Sequence, residues 1–174
     1  MSLPTNTTIA RASLTDIRWK PSVTVAAIIE QNGRFLLIEE HTPEGLRLNN
    51  PAGHMDAGES PAQGCAREAE ETAYSFIPTA LVGVYLSRFQ RGTGDLAEDI
   101  TYLRFAYCGT VGEMQQGRAL GTGIVRTLWL SADEIRQSTQ RHRSPLVLQC
   151  VEDYLAGRRY PLNLVCTDTS VYGG

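Results

Sequence analysis

Apolar and polar positions divide the chain into short segments of distinct period. Val23-Thr-Val-Ala-Ala-Ile-Ile29 is β-branched and nearly continuously apolar, the pattern of a strand covered on both faces. Gln31-Asn32-Gly33 is a turn signal, and Arg34-Phe-Leu-Leu-Ile-Glu39 reads as its hairpin partner. His41 to Asn50, with Pro43 and Gly45, reads as a loop. A Gly-rich, acidic stretch from Pro51 to Glu59 then leads into a helix. Ser60 is its predicted N-cap, Pro61 its first residue, and it should run to about Thr72. Leu81 to Phe89 and Ile100 to Cys108 read as two more strands, joined by a mobile loop over Arg91 to Asp95. Arg126 to Leu130 is a short strand, and Ser131-Ala-Asp-Glu134 is a capping box opening a short helix. Ser144-Pro145 opens a last helix, with Leu146, Val147, Cys150, Val151, Tyr154 and Leu155 on one face and Gly157 as its stop. Strands, helix, strands, then helices suit one mixed α/β domain.

Composition narrows the class. The 174 residues are 42% hydrophobic and 20% charged, which argues against wholesale disorder. The organisation expected is a loose N-terminal extension over residues 1–20, a domain over 21–165 and a tail over 166–174. No apolar run approaches the ~18 residues of a membrane helix. No secretory h-region is visible near the N-terminus, so a soluble, cytoplasmic protein is expected, with no membrane partner. A net charge of −3 leaves no basic footprint for a nucleic-acid polymer. Fifteen arginines stand beside a single lysine, Lys20. Arg suits phosphate and carboxylate, although genomic base composition gives the same bias. Cys65, Cys108, Cys150 and Cys166 show no CxxC pair, so reduced thiols are expected rather than a zinc site or disulfides.

The chemistry concentrates in residues 53–71, where Asp56, Glu59, Glu68, Glu70 and Glu71 surround Arg67. Carboxylates crowded on one helix face repel unless a cation lies between them. A hard divalent ion with oxygen ligands would serve, and so would simple solvation of an acidic surface helix. The spacing discriminates. Gly53, five residues, Glu59, seven residues, Arg67-Glu68 and then Glu70-Glu71 resembles the Nudix box. Pro51-Ala-Gly-His54, Thr101-Tyr-Leu-Arg-Phe105, Arg143-Ser-Pro-Leu-Val147 and Gly157-Arg-Arg-Tyr-Pro-Leu162 are similar to the bacterial NudJ-type phosphatase branch of that family. The resemblance covers about residues 20–162. It implies an α/β/α sandwich with a mixed β-sheet and a loop-helix-loop that holds Mg2+ or Mn2+. It also implies hydrolysis of nucleoside tri- or diphosphates, or of thiamine-type pyrophosphates.

Carried onto this chain, the resemblance implies metal binding at Gly53, Glu68, Glu70 and Glu71. It makes Glu68, Glu71 and Arg67 the catalytic group, with Arg67 orienting a box glutamate. The chain departs from the pattern at one place. Only Ala69 separates Glu68 from the Glu-Glu pair, where the box has two residues, and its terminal Gly has become Ala73. At about 100° per residue, Glu71 stays beside Glu68 while Glu70 turns about 200° away. Three arrangements stay open: a local distortion that returns Glu70 to the metal face, a residue missing from the sequence, or a weakened site held by Glu68 and Glu71 alone. Ala73 adds strain if its backbone must be left-handed.

Other candidates carry alternatives. Glu59 reads as a support for the loop, and His54 as structural rather than a base. Arg47 and Arg104 are the candidate phosphate contacts. Arg104 lies between apolar strand neighbours, where it needs a phosphate or a buried salt bridge. Glu98 and Asp99 are further carboxylates in reach of a metal, and Tyr85, Phe89 and Tyr102 stack on a ring or belong to the core. Substrate choice is expected in loops 41–50 and 90–99. The function expected is Mg2+-dependent hydrolysis of phosphoanhydride bonds in a small phosphorylated substrate, by a monomer or homodimer. The alternative is a catalytically weakened Nudix-fold nucleotide-binding or regulatory module.

Overall fold

The computed structural model describes residues 19–92 and 98–173. The expected extension lies outside the described residues up to position 18, as do residues 93–95 of the expected mobile loop. The strands are β1 (Ser22–Ile28), β2 (Glu30–Gln31), β3 (Arg34–Thr42), β4 (Gly45–Asn49), β5 (Ala52–His54), β6 (Tyr74–Arg91), β7 (Glu98–Met114) and β8 (Ile124–Ser131). The helices are α1 (Pro61–Glu70), α2 (Ala132–Gln137) and α3 (Leu146–Leu155).

One sheet runs β5-β1-β7-β6, with β1 and β7 parallel and the other two pairings antiparallel. The second centres on β3, which pairs antiparallel with β2, β4 and β8. β1 shows why its sequence is apolar without a break. Val25, Ala27 and Ile29 pack with Cys65 and Ala69 of α1, whereas Ala26 and Ile28 pack with Ile135 of α2 and Val147, Cys150 and Val151 of α3. Alternate side chains thus feed two cores, one on each face of the sheet, as the sandwich expectation requires. No helix among the described residues is long and apolar enough to cross a membrane.

The hairpin at Asn32-Gly33 forms with both residues at positive φ, 54° and 78°, as a two-residue turn between right-twisted strands demands. Residues 41–50 are not a loop. β3 continues through Thr42, turns on Pro43-Glu44 and Gly45 (φ 101°), and returns as β4 with Leu48 fully buried. Pro43 and Gly45 are turn residues of a hairpin here, and only one side of β4 is apolar enough to signal a strand. β6 and β7 also exceed their expected bounds. β6 carries Pro78 inside it because it is an edge strand with register shifts around Pro78–Ala80, where a missing N–H is tolerated. Gly109 permits the close approach: a Cβ there would lie 2.0 Å from the Ile77 carbonyl oxygen.

Candidate functional site

Ser60 starts α1 through a reciprocal capping box. Its hydroxyl accepts from the Gln63 N–H at 3.2 Å, and the Gln63 side chain accepts from the Ser60 N–H at 2.8 Å. The helix ends two residues before the expected Thr72. Glu71, Thr72 and Ala73 donate their N–H groups to the carbonyls of Glu68, Ala69 and Glu70, each three residues back. Ala73 then takes φ 65°, the left-handed position that glycine occupies in the box.

Arg67 ties the loop before the helix to the helix itself. Its Nε and Nη2 donate to the two oxygens of Glu59 at 3.0 and 2.8 Å, and Nη2 also donates to the His54 carbonyl at 2.9 Å. Its Nη1 donates to Glu68 Oε1 at 2.7 Å. Glu59 accepts the Asp56 N–H at 2.7 Å as well, so it fixes the loop. The Arg67 guanidinium holds the Glu59 carboxyl below its ordinary range, despite burial. Glu68 moves the other way. Burial raises its pKa, the charges of Glu71 and Asp56 add to this, and Arg67 only partly opposes them.

Gly53 on β5 sets how closely Glu68 reaches the sheet, since a Cβ at Gly53 would stand 2.2 Å from Glu68 Oε2. Glu71 is packed against the loop after β7. Gly121 donates its N–H to the Glu71 carbonyl at 2.9 Å, and a Cβ at Gly121 would stand 2.2 Å from Glu71 Oε2. The structure therefore brings Gly53, Arg67 and Glu68 together, and leaves Glu71 within electrostatic reach of Glu68 while it packs against Gly121. It does not bring Glu70 to them, because that carboxylate pairs with Arg118 at 3.0 Å. Among the described residues, no group of three or more His, Cys, Asp or Glu side chains is gathered to hold a metal ion. Two carboxylates suit Mg2+ nonetheless, because that ion keeps several waters and uses one or two carboxylates plus substrate phosphates.

A cavity of about 620 Å³ opens beside Gly53, and Arg47 and Arg104 both line it. Arg104, on β7, is buried, and its Nε and Nη1 have no hydrogen-bond partner among the described residues. Phe89 and Tyr102 also line the cavity, whereas Tyr85 packs against the α3 core and donates to Asp153 at 3.0 Å. Glu98 and Asp99 are engaged in exposed ion pairs with Arg91 and Arg88. The exposed His54 ring lies 6.2 Å from that of Tyr102, centroid to centroid. Sequence reasoning missed Thr24, Glu40, Asn49 and Ser144 as cavity residues. A signal existed for Thr24, the one polar side chain within the apolar run from Val23 to Ile29.

The NUDIX domain family model matches residues 18–149. Phosphatase NudJ of Escherichia coli strain K12 is 35% identical over 149 residues, which cover 84% of this chain and 92% of that protein. Its counterpart in Shigella flexneri matches to the same extent. Among solved structures, a NUDIX hydrolase from Nitrosomonas europaea is 48% identical, with a TM-score of 0.75 over 86% of this chain and 98% of that one. A MutT NUDIX hydrolase from Burkholderia pseudomallei, 19% identical, shares the fold with a TM-score of 0.61 over 78% of this chain and 98% of that one. Match length, identity and fold agree with the loop-helix built on Gly53, Arg67 and Glu68: the chain belongs to the Nudix hydrolase family.

Proposed function

We propose that this chain is a Mg2+-dependent hydrolase of phosphoanhydride bonds in nucleoside tri- or diphosphates or related small pyrophosphates, thiamine-type ones included, with Mn2+ as an alternative ion. The observation that carries the reading is Gly53. Its bare Cα lets the Glu68 carboxylate lie against the strand that also borders the arginine-lined cavity. Glu68 and Glu71 would hold the ion, with Gly53 leaving room for it, and Arg67 keeps Glu68 oriented by a charge-assisted bond. Arg47 and Arg104 face the substrate's phosphates. When bound, the ion neutralises phosphate charge and lowers the pKa of water. A carboxylate oxygen of this pair left off the ion would take the proton of the attacking water. The similarity to proteins named phosphatase NudJ supports a phosphate-releasing reaction. A cytoplasmic setting fits reduced cysteines and small phosphorylated substrates.

The pairing of Glu70 with Arg118 favours a second reading, a nucleotide-binding module with a weakened metal site. Release of phosphate and pyrophosphate, with Mg2+ and with EDTA, separates the two. Nucleoside tri- and diphosphates and thiamine pyrophosphate are the substrates to use. The proposal expects release that EDTA abolishes. Nucleotide binding without product, from a chain of verified mass, would leave the module reading.

A further inference from the structure

A buried polar atom without a partner bears the full cost of its desolvation, so such atoms are few. Six side-chain atoms of this kind occur among the described residues. Five of them, Thr24 Oγ1, Asn49 Oδ1, Ser144 Oγ, and Nε and Nη1 of Arg104, belong to residues lining the one cavity. Arg104 is only 8% exposed, and a guanidinium stays protonated at working pH. The neighbouring Cys150 thiol and the Glu40 carboxylate act on it, yet Glu40 already accepts from the Asn49 amide at 3.0 Å and pairs with Arg143 at 3.2 Å. Among the described residues a positive charge is therefore buried with no carboxylate bonded to it. Such a charge is costly until an anion joins it.

The sheet separates this spot from the metal face. Thr24 and Arg104 are direct partners across β1 and β7, and Thr24 has the parity of Ala26 and Ile28, which face α3. Gly53 is paired with Val25, whose side chain faces α1. We infer that the Arg104 end of the cavity is a phosphoryl pocket that binds its anion without the metal ion. Arg104 is the charged donor, the Thr24 and Ser144 hydroxyls are further donors, and Asn49 Oδ1 accepts from a P–OH. The ligand class is a phosphoryl group, either free orthophosphate or the end of a longer phosphate chain. The substrate class is then a molecule with two separated anionic groups, one at Glu68 and Glu71 and one at Arg104. That last step rests on the proposed hydrolase reading, whereas the pocket itself does not.

The test is calorimetric titration of the full chain in EDTA with orthophosphate and with pyrophosphate, beside Arg104→Met and Thr24→Val. The intact chain should bind at least one of the two saturably, and preference between them tells a retained product from a longer chain. Loss of the charge-assisted bonds in Arg104→Met should weaken binding by about tenfold or more. Its melting temperature without ligand should not fall, since an uncompensated charge has been removed. Absence of binding by the intact chain in EDTA, or undiminished binding by Arg104→Met, overturns the pocket. If Arg104→Met does not fold, Thr24→Val decides: a loss of about threefold supports the pocket, and unchanged affinity overturns it. Turnover plays no part in this readout, so an inactive chain can retain the pocket and an active one can lack it.

Discussion

Arg67 bonds two carboxylates whose proton affinities move in opposite directions, and that difference is testable. Glu59 is depressed below its ordinary 4.5 by the Arg67 bond, so its stabilising contribution exists above that value and is lost as pH falls through the folded value. Glu59→Gln should therefore destabilise the protein at pH 7 by about 1–3 kcal/mol, read from urea unfolding. Glu68 is raised by burial and by its acidic neighbours. Its contribution exists below the unfolded value and is lost as pH rises through the folded one. Glu68→Gln should raise the melting temperature in EDTA at pH 7, an advantage that disappears below the carboxylate range. Added Mg2+ should stabilise the intact chain and not this variant. The placement of Gly53 and Arg67 beside Glu68 is legible in the sequence because box spacing is local. The consequence of Ala73 is also legible: a non-Gly residue there costs about 1–2 kcal/mol in left-handed backbone, while its buried methyl returns about 0.8 kcal/mol.

At the scale of the element, α1 is one turn-fraction short of its family pattern. Ser60 and Gln63 fix where it begins, and the sheet fixes which face Cys65 and Ala69 present, so the missing residue is felt only at the end. Glu70 consequently meets Arg118 instead of Glu68. Inserting one Ala after Ala69 would turn the Glu-Glu pair by about 100°, to three and four positions beyond Glu68. Mn2+ binding, followed by electron paramagnetic resonance titration, should tighten by about tenfold, since a third carboxylate joins the ion. Unchanged binding would show that Glu71 already supplies all that the ion requires. Element existence was readable wherever period and caps agreed, as in β1, α1 and α2. It was misread at 41–50, because turn residues of a β3–β4 hairpin look like those of a loop.

At the scale of the whole molecule, the site depends on pairings that no local pattern encodes. Thr24 reaches Arg104 only because β1 and β7 lie parallel in the sheet, and Ser144 joins them because Arg143 donates its N–H to the Leu48 carbonyl at 2.9 Å. Arg104 could be recognised in the sequence as a costly strand residue, but its want of a partner could not. The same assembly puts the Glu68 side chain on the face toward α1 and Arg104 on the face toward α3, with β5 at the sheet edge. The central claim is that turnover depends on a metal held by Glu68 and Glu71, with Glu70 outside the site. The most direct measurement is phosphate and pyrophosphate release at saturating Mg2+ by the intact chain, Glu71→Gln and Glu70→Gln. The account predicts metal-dependent release that falls by about 100-fold or more in Glu71→Gln and stays within about threefold in Glu70→Gln. No release by the intact chain, or an equal loss in Glu70→Gln, would contradict it.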